Sequence, residues 1–196
     1  MNLIRLSLAA AGLALLAGCA SLPSAGDCPR LPGGGYYCLQ SSSGMTKFDA
    51  LQAVDIEFDG KRETFIVSLE VDGGGMRFAG LTPFGQKLLA ANYDNRDVRV
   101  ESLAPLSDRL DPKLVAALLQ LALWPAERVR VGLAAELEFK DDGHRRVIVQ
   151  HGAALLRIDY EGETAPYRHI AIDAPAARLH LDIKTMPGED GERNIR

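Results

Sequence analysis

Between Leu51 and Thr185 apolar side chains recur at every second position over most of the chain, and that period governs what it can build. In Leu51–Phe58, Val54, Ile56 and Phe58 share one face while Asp55, Glu57 and Asp59 take the other. Successive side chains point to opposite faces of a strand, so such a stretch predicts a strand with one buried and one solvated side. Thr64–Val71 repeats the pattern with Phe65, Val67, Leu69 and Val71, and Met76–Leu81 follows with Met76 and Phe78. Gln86–Tyr93, Val98–Leu103, Glu136–Phe139, Arg145–Gln150, Ala154–Tyr160, Tyr167–Asp173 and Arg178–Thr185 bring the expectation to nine or ten strands. The links are of hairpin length, among them Asp59-Gly60, Gly73-Gly74-Gly75, Asp141-Asp142-Gly143 and His151-Gly152. Parallel strands would need crossover helices, so the pattern predicts an antiparallel meander. A meander of that size curls rather than lying flat.

One interruption changes the period. Asp111-Pro112 is an N-cap and first-turn pair, and Lys113–Trp124 reads as a helix stopped by Pro125. Its core, "LVAALLQLALW", offers only Gln120 as a polar position. A helix apolar around its circumference is buried on all sides or covers a greasy cavity. At about 18 Å it is too short to cross a bilayer. A second short helix is predicted over Ala126–Val131. The expected fold is mainly β with some α: a curled antiparallel sheet or incomplete barrel with one or two helices over its concave face. Residues 45–186 form that domain, and "PGEDGERNIR" (187–196) is a polar tail.

The N-terminus is an address. Met1–Gly18 carries one charge, Arg5, before the apolar stretch Leu6–Ala17, the layout of a secretory signal peptide. Leu16-Ala17-Gly18-Cys19 resembles the bacterial lipobox in every position. That resemblance implies cleavage before Cys19, a thioether diacylglycerol on its sulfur and a fatty acyl group on its new amine. Two or more acyl chains anchor a protein stably to a membrane. Ala20 rather than Asp follows the cysteine, which by resemblance to the enterobacterial sorting rule points to the outer membrane. Lipidation of Cys19 leaves Cys28 and Cys38, and in an oxidising compartment these two are expected to pair. Ala20–Gly35, rich in Pro, Gly and Ser, reads as a tether of low stiffness. Lipidated terminus, tether and disulfide loop together occupy residues 19–44.

The remaining features argue against several functions. A net charge of -4 without basic runs gives no electrostatic footprint for nucleic acid. His144 and His151 fall at turns and His180 on a charged strand face. His169 and Asp173 share a strand face but stand about 13 Å apart at 3.3 Å per residue. No histidine pair has zinc-site spacing, and Asp55, Glu57 and Asp59 read as a solvated outer face. Ser41-Ser42-Ser43-Gly44 lacks the G-x-S-x-G pattern of a hydrolase elbow, and Gly73–Gly75 lacks the Lys-Ser/Thr of a phosphate cradle. The expectation is a protein without catalysis, metal or cofactor. What is left is apolar surface: Phe65, Val67, Leu69, Met76, Phe78, Leu118 and Trp124. Such residues either pack a core or line a ligand cavity.

The segments "GLTPFGQKLLAANYD" and "LDPKLVAALLQLALWP" resemble a family of bacterial outer-membrane lipoproteins of unknown function. Its members are often encoded near gene clusters for aryl-polyene-type lipid pigments. The resemblance spans roughly Leu51–Thr185. The order of strands and helices is also similar to that of the lipoprotein carriers LolA and LolB, incomplete antiparallel barrels with a helical lid over a cavity that receives acyl chains. These resemblances imply an outer-membrane lipoprotein facing the periplasm that binds an acyl or polyene-type lipid and assists its transport or insertion. The alternative is a non-catalytic adaptor whose body binds an envelope protein.

Overall fold

The computed structural model describes residues 28–103 and 111–187. The expected signal peptide, the lipidation site Cys19, the first part of the tether and the tail from residue 188 lie outside the described residues. Ten strands form one open antiparallel sheet: β1 (Phe48–Phe58), β2 (Lys61–Asp72), β3 (Gly75–Leu81), β4 (Lys87–Tyr93), β5 (Val98–Leu103), β6 (Glu138–Asp141), β7 (Arg145–Gln150), β8 (Ala153–Glu161), β9 (His169–Ala174) and β10 (Leu179–Thr185). Their spatial order is β5-β4-β3-β2-β1-β10-β9-β8-β7-β6. The first and last strands therefore meet in the middle, and the chain must travel from the edge strand β5 to the opposite edge strand β6. The two helices, α1 (Pro112–Leu123) and α2 (Ala126–Gly132), make that journey across the inner face. No helix among the described residues is long and apolar enough to cross a membrane.

Local chemistry places these elements. Asp59 and Gly60 both take positive φ, 52° and 77°, the geometry a two-residue hairpin demands. Asp59 thus leaves the strand face on which the period placed it, and its carboxylate meets Arg178 at 2.7 Å. Lys61, Arg62 and Glu63 extend β2 back to the turn, paired with Phe58, Glu57 and Ile56. At its other end β1 begins three residues earlier than the alternation suggests. There the inward position belongs to Gln52, 1% exposed, whose Nε2 donates to Thr185 Oγ1 at 3.1 Å. Leu51, beside it, faces outward and is 44% exposed. The polar Gln52 at a core position hid this first part of the strand from the alternation.

Helix α1 is capped by Asp111, whose Oδ1 accepts from Lys113 N at 2.9 Å, with Pro112 in the first turn. It ends at Trp124 because Pro125 cannot continue it. Gln120, the one polar side chain between Leu114 and Trp124, is fully buried. Its Oε1 accepts from Gln40 N at 2.7 Å and from Tyr37 Oη at 3.2 Å, and its Nε2 donates to Gln40 O at 3.0 Å. Trp124 Nε1 donates to the same carbonyl at 3.2 Å. Burial pushes the Tyr37 phenol far above the ordinary tyrosine range, so it stays a donor.

These bonds staple the segment before β1 onto the helix. Cys28 and Cys38 are disulfide-bonded, as expected. The tether expectation, by contrast, fails from Cys28 onward: Leu31 is 2% exposed, Tyr37 is fully buried, and Gly34 and Gly35 are covered. The prolines and glycines of this stretch serve a packed loop rather than a loose one.

Candidate functional site

The inner face is continuous from β4 to β7. Register places Phe78, Leu69 and Ala50 in one row, and Phe65, Val54, Ile183 and Ile170 in another. Burial along this face is uneven. At the end of the sheet formed by the β1–β2 and β9–β10 turns, one row runs from Ile172 (1% exposed) through Leu181 (9%) to the half-buried Ile56. The next runs from Ala174 (0%) through half-buried Leu179 to Phe58, 53% exposed. The β8–β9 side is sealed and the β1–β2 side is not. Phe58 is therefore the exposed member of an apolar strip whose others, Ile56, Phe65, Val67 and Leu179, are half-buried, and exposed Lys61 and Glu63 take the β2 positions of the same two rows.

The seven apolar residues singled out from the sequence divide accordingly. Leu69, Met76, Phe78 and Trp124 are in the packed core, none more than 4% exposed. Phe65 and Val67 are half-buried on the strip, and Leu118 is half-buried on α1. Ile56 and Phe58 were visible as one strand face, but nothing in their spacing marked Phe58 as exposed and Ile56 as half-buried. Leu179 joins them only through the pairing of β10 with β1.

A buried cation lies on the far side of the row that holds Ile56, Leu181 and Ile172, where Arg146 pairs with Ile158. Arg146 Nε donates to Asp141 Oδ2 at 2.8 Å, and its Nη1 donates to the α1 carbonyls of Leu121 at 2.8 Å and Ala122 at 3.3 Å. Tyr160 Oη donates to Ala122 O at 2.9 Å. Helix α1 has no basic residue in its own last turn, so β7 supplies the positive charge its C-terminus favours.

The outer face carries the histidines. His169 Nε2 lies 2.8 Å from Asp182 Oδ2, and His180 Nδ1 lies 2.7 Å from Asp173 Oδ1. His169 and Asp173 indeed do not meet; each finds its partner on β10. Arg62 pairs with Glu57 at 2.8 Å and Thr64 Oγ1 donates to Asp55 Oδ1 at 2.6 Å, so this surface is a mesh of cross-strand pairs. A shallow groove of about 370 Å³ runs over it, lined among others by Asp55, Glu57, Arg62 and His180. Ser42, inside the serine cluster, is buried and donates to Asn95 Oδ1 at 2.9 Å.

One member of the mesh titrates with consequence. Burial opposes ionisation of Asp182, but hydrogen bonds from His169 and Lys184 outweigh it and hold the carboxyl below its usual range. A folded-state pKa below the unfolded one contributes stability that is present above the unfolded value, about 3.9. That contribution is lost as pH falls through the folded value. Urea midpoints measured from pH 7 down to pH 3 should fall more steeply for the wild type than for Asp182→Asn. Parallel curves would remove Asp182 from the acid response.

An open, curled antiparallel sheet with two helices on its inner face and one partly exposed apolar strip defines the class of protein. Residues 49–187 match the model of DUF3261, described as a protein of unknown function, and the chain belongs to that family. No curated protein matches the chain.

Proposed function

We propose that this is a non-catalytic lipoprotein, anchored through Cys19 in the outer membrane and facing the periplasm. It takes an acyl or polyene-type lipid on the inner face of its sheet and assists transport or insertion of that lipid, in the manner suggested by its LolA/LolB-like organisation. The observation that carries this reading is the apolar strip of Ile56, Phe58, Phe65, Val67 and Leu179, half-buried apart from Phe58, which is exposed on the inner face. Each acyl methylene buried there contributes about 0.8 kcal/mol, so a long chain needs few polar contacts.

The test is the chain carrying Cys19→Ser, expressed in a periplasm, purified gently, denatured and extracted for mass spectrometry. A stoichiometric acyl or polyene species is expected. Phe65→Asp should retain less than about a tenth of it, because a carboxylate on the strip costs several kcal/mol to desolvate, with the far-UV spectrum unchanged. Retention equal to the wild type would take Phe65 out of the site. An adaptor role is favoured by the β5 edge, where Val100 is 48% exposed, and a protein that stays empty after exposure to envelope lipids would support it.

A further inference from the structure

The sealed side of the inner face is closed by an unusual device. Cys28–Cys38 makes residues 28–38 a covalent ring, and the two halves of that ring are held differently. Its C-terminal part is pinned: Cys38 N donates to Gly132 O at 2.7 Å, Ala134 N donates to Tyr36 O at 3.1 Å, and Tyr37 bridges Leu133. The bonds of residues 28–35, among the described residues, stay inside the ring. Leu31 N donates to Gly35 O and Gly34 N to Leu31 O, both at 3.0 Å, and Tyr37 N donates to Pro29 O at 3.2 Å.

What this half presents to the sheet is mainly glycine backbone. A Cβ on Gly33 would stand 2.9 Å from Leu155 Cδ1 and 3.1 Å from Ala176 Cβ, and one on Gly35 would stand 2.9 Å from Leu137 Cδ1. The three glycines hold φ of 87°, 135° and 70°, so residues with side chains would be both strained and obstructed. Leu31, at 2% exposure, is the apolar anchor of this half. Beneath this half lie Leu155 and Leu137, each no more than 8% exposed, and Ala176; two residues before Ala176, the buried Ala174 is the register neighbour of strip residue Leu179.

We propose that residues 28–35 are a flap hinged on Tyr36–Cys38, and that Leu31 occupies a subsite which the end of an acyl chain takes when the flap swings out. The swing breaks no hydrogen bond to the sheet, and it exposes Leu31 and Pro29 on the flap with Leu155 and Leu137 on the body, apolar surface that an acyl chain covers in kind. The disulfide keeps the flap within reach of its seat. Opening extends the strip from Leu179 across Ala174 to Leu155. The acyl occupant rests on the lipid reading above; the swing does not.

Adjacent amides distinguish the two halves. The Tyr37 amide bonds across to Pro29 on the flap, whereas the Cys38 amide bonds to the body at Gly132. In residue-resolved hydrogen exchange on the Cys19→Ser chain, Tyr37 is expected to exchange at least about tenfold faster than Cys38. Leu31→Ser should speed Tyr37 about tenfold further while leaving Cys38 unchanged, because losing a buried leucine favours the open form. A dansyl-labelled undecanoic acid should then bind Leu31→Ser about tenfold more tightly than wild type, since apparent affinity scales with the open fraction. Tyr37 and Cys38 exchanging together would overturn the flap. Independent exchange with equal probe affinity in both chains would overturn the subsite. No binding by either chain would overturn the lipid reading and with it the acyl occupant.

Discussion

Replacing Arg146 by alanine is expected to lower the free energy of unfolding by about 3–5 kcal/mol, the cost of removing one partner from a buried ion pair. Arg146 is 6% exposed and Asp141 is nearly as enclosed, so the substitution strands a carboxylate with little access to water. It also strips the Leu121 and Ala122 carbonyls of a charged donor, leaving only the Tyr160 hydroxyl on Ala122. The guanidinium stands 5.4 Å from the centre of the Tyr160 ring, so packing is lost as well as charge. The checking measurement is urea unfolding at neutral pH. Asp141→Asn placed on top of Arg146→Ala should recover part of the loss, because it removes the unpaired charge. A single-variant loss under about 1 kcal/mol would mean that water reaches the site and serves both partners.

Gly75→Ala is expected to be comparably severe, at about 3 kcal/mol or more, through backbone rather than charge. Gly75 opens β3 at φ 156°, and a Cβ there would sit 2.1 Å from the carbonyl oxygen of Tyr93. The obstacle is main chain in the paired strand, so no side-chain rotation relieves it; β3 and β4 must part where Met76 faces Tyr93. Both of those residues are core, at 1% and 2% exposure. Gly73 is the control in the same turn, since its nearest neighbour to a new Cβ is 3.8 Å away. Gly73→Ala should change stability by less than about 0.5 kcal/mol. Equal urea midpoints for the two variants would show that the strand pair yields at Gly75.

The alternation of Phe65, Val67, Leu69 and Val71, with its counterparts along the chain, was enough to read a curled antiparallel sheet, and the Asp111-Pro112 cap was enough to place α1. Both are local signals, carried by side-chain period and by the φ preferences of single residues. What those local signals do not carry is a residue whose partner lies far along the chain. Gln52 sits on a core position because Thr185 answers it, and Gln120 is buried because Gln40 and Tyr37, eighty and more residues earlier, satisfy its amide. The tether was misread from Cys28 on because proline and glycine report backbone freedom, not what the backbone lies against.

The candidate site shows the same division. The amino-acid sequence by itself determined which faces are apolar, where the strands turn, and that the helix between Asp111 and Pro125 had to be hidden. Only the tertiary structure decided which part of the apolar face is covered. β1 pairs with β10, the helices pack on the inner face, and the disulfide ring covers Leu155 of β8, while on the other side Phe58 stays exposed and Phe65 half-buried. The physical reason is that period and propensity act within one element, whereas burial is set by elements that meet only after the chain has closed on itself.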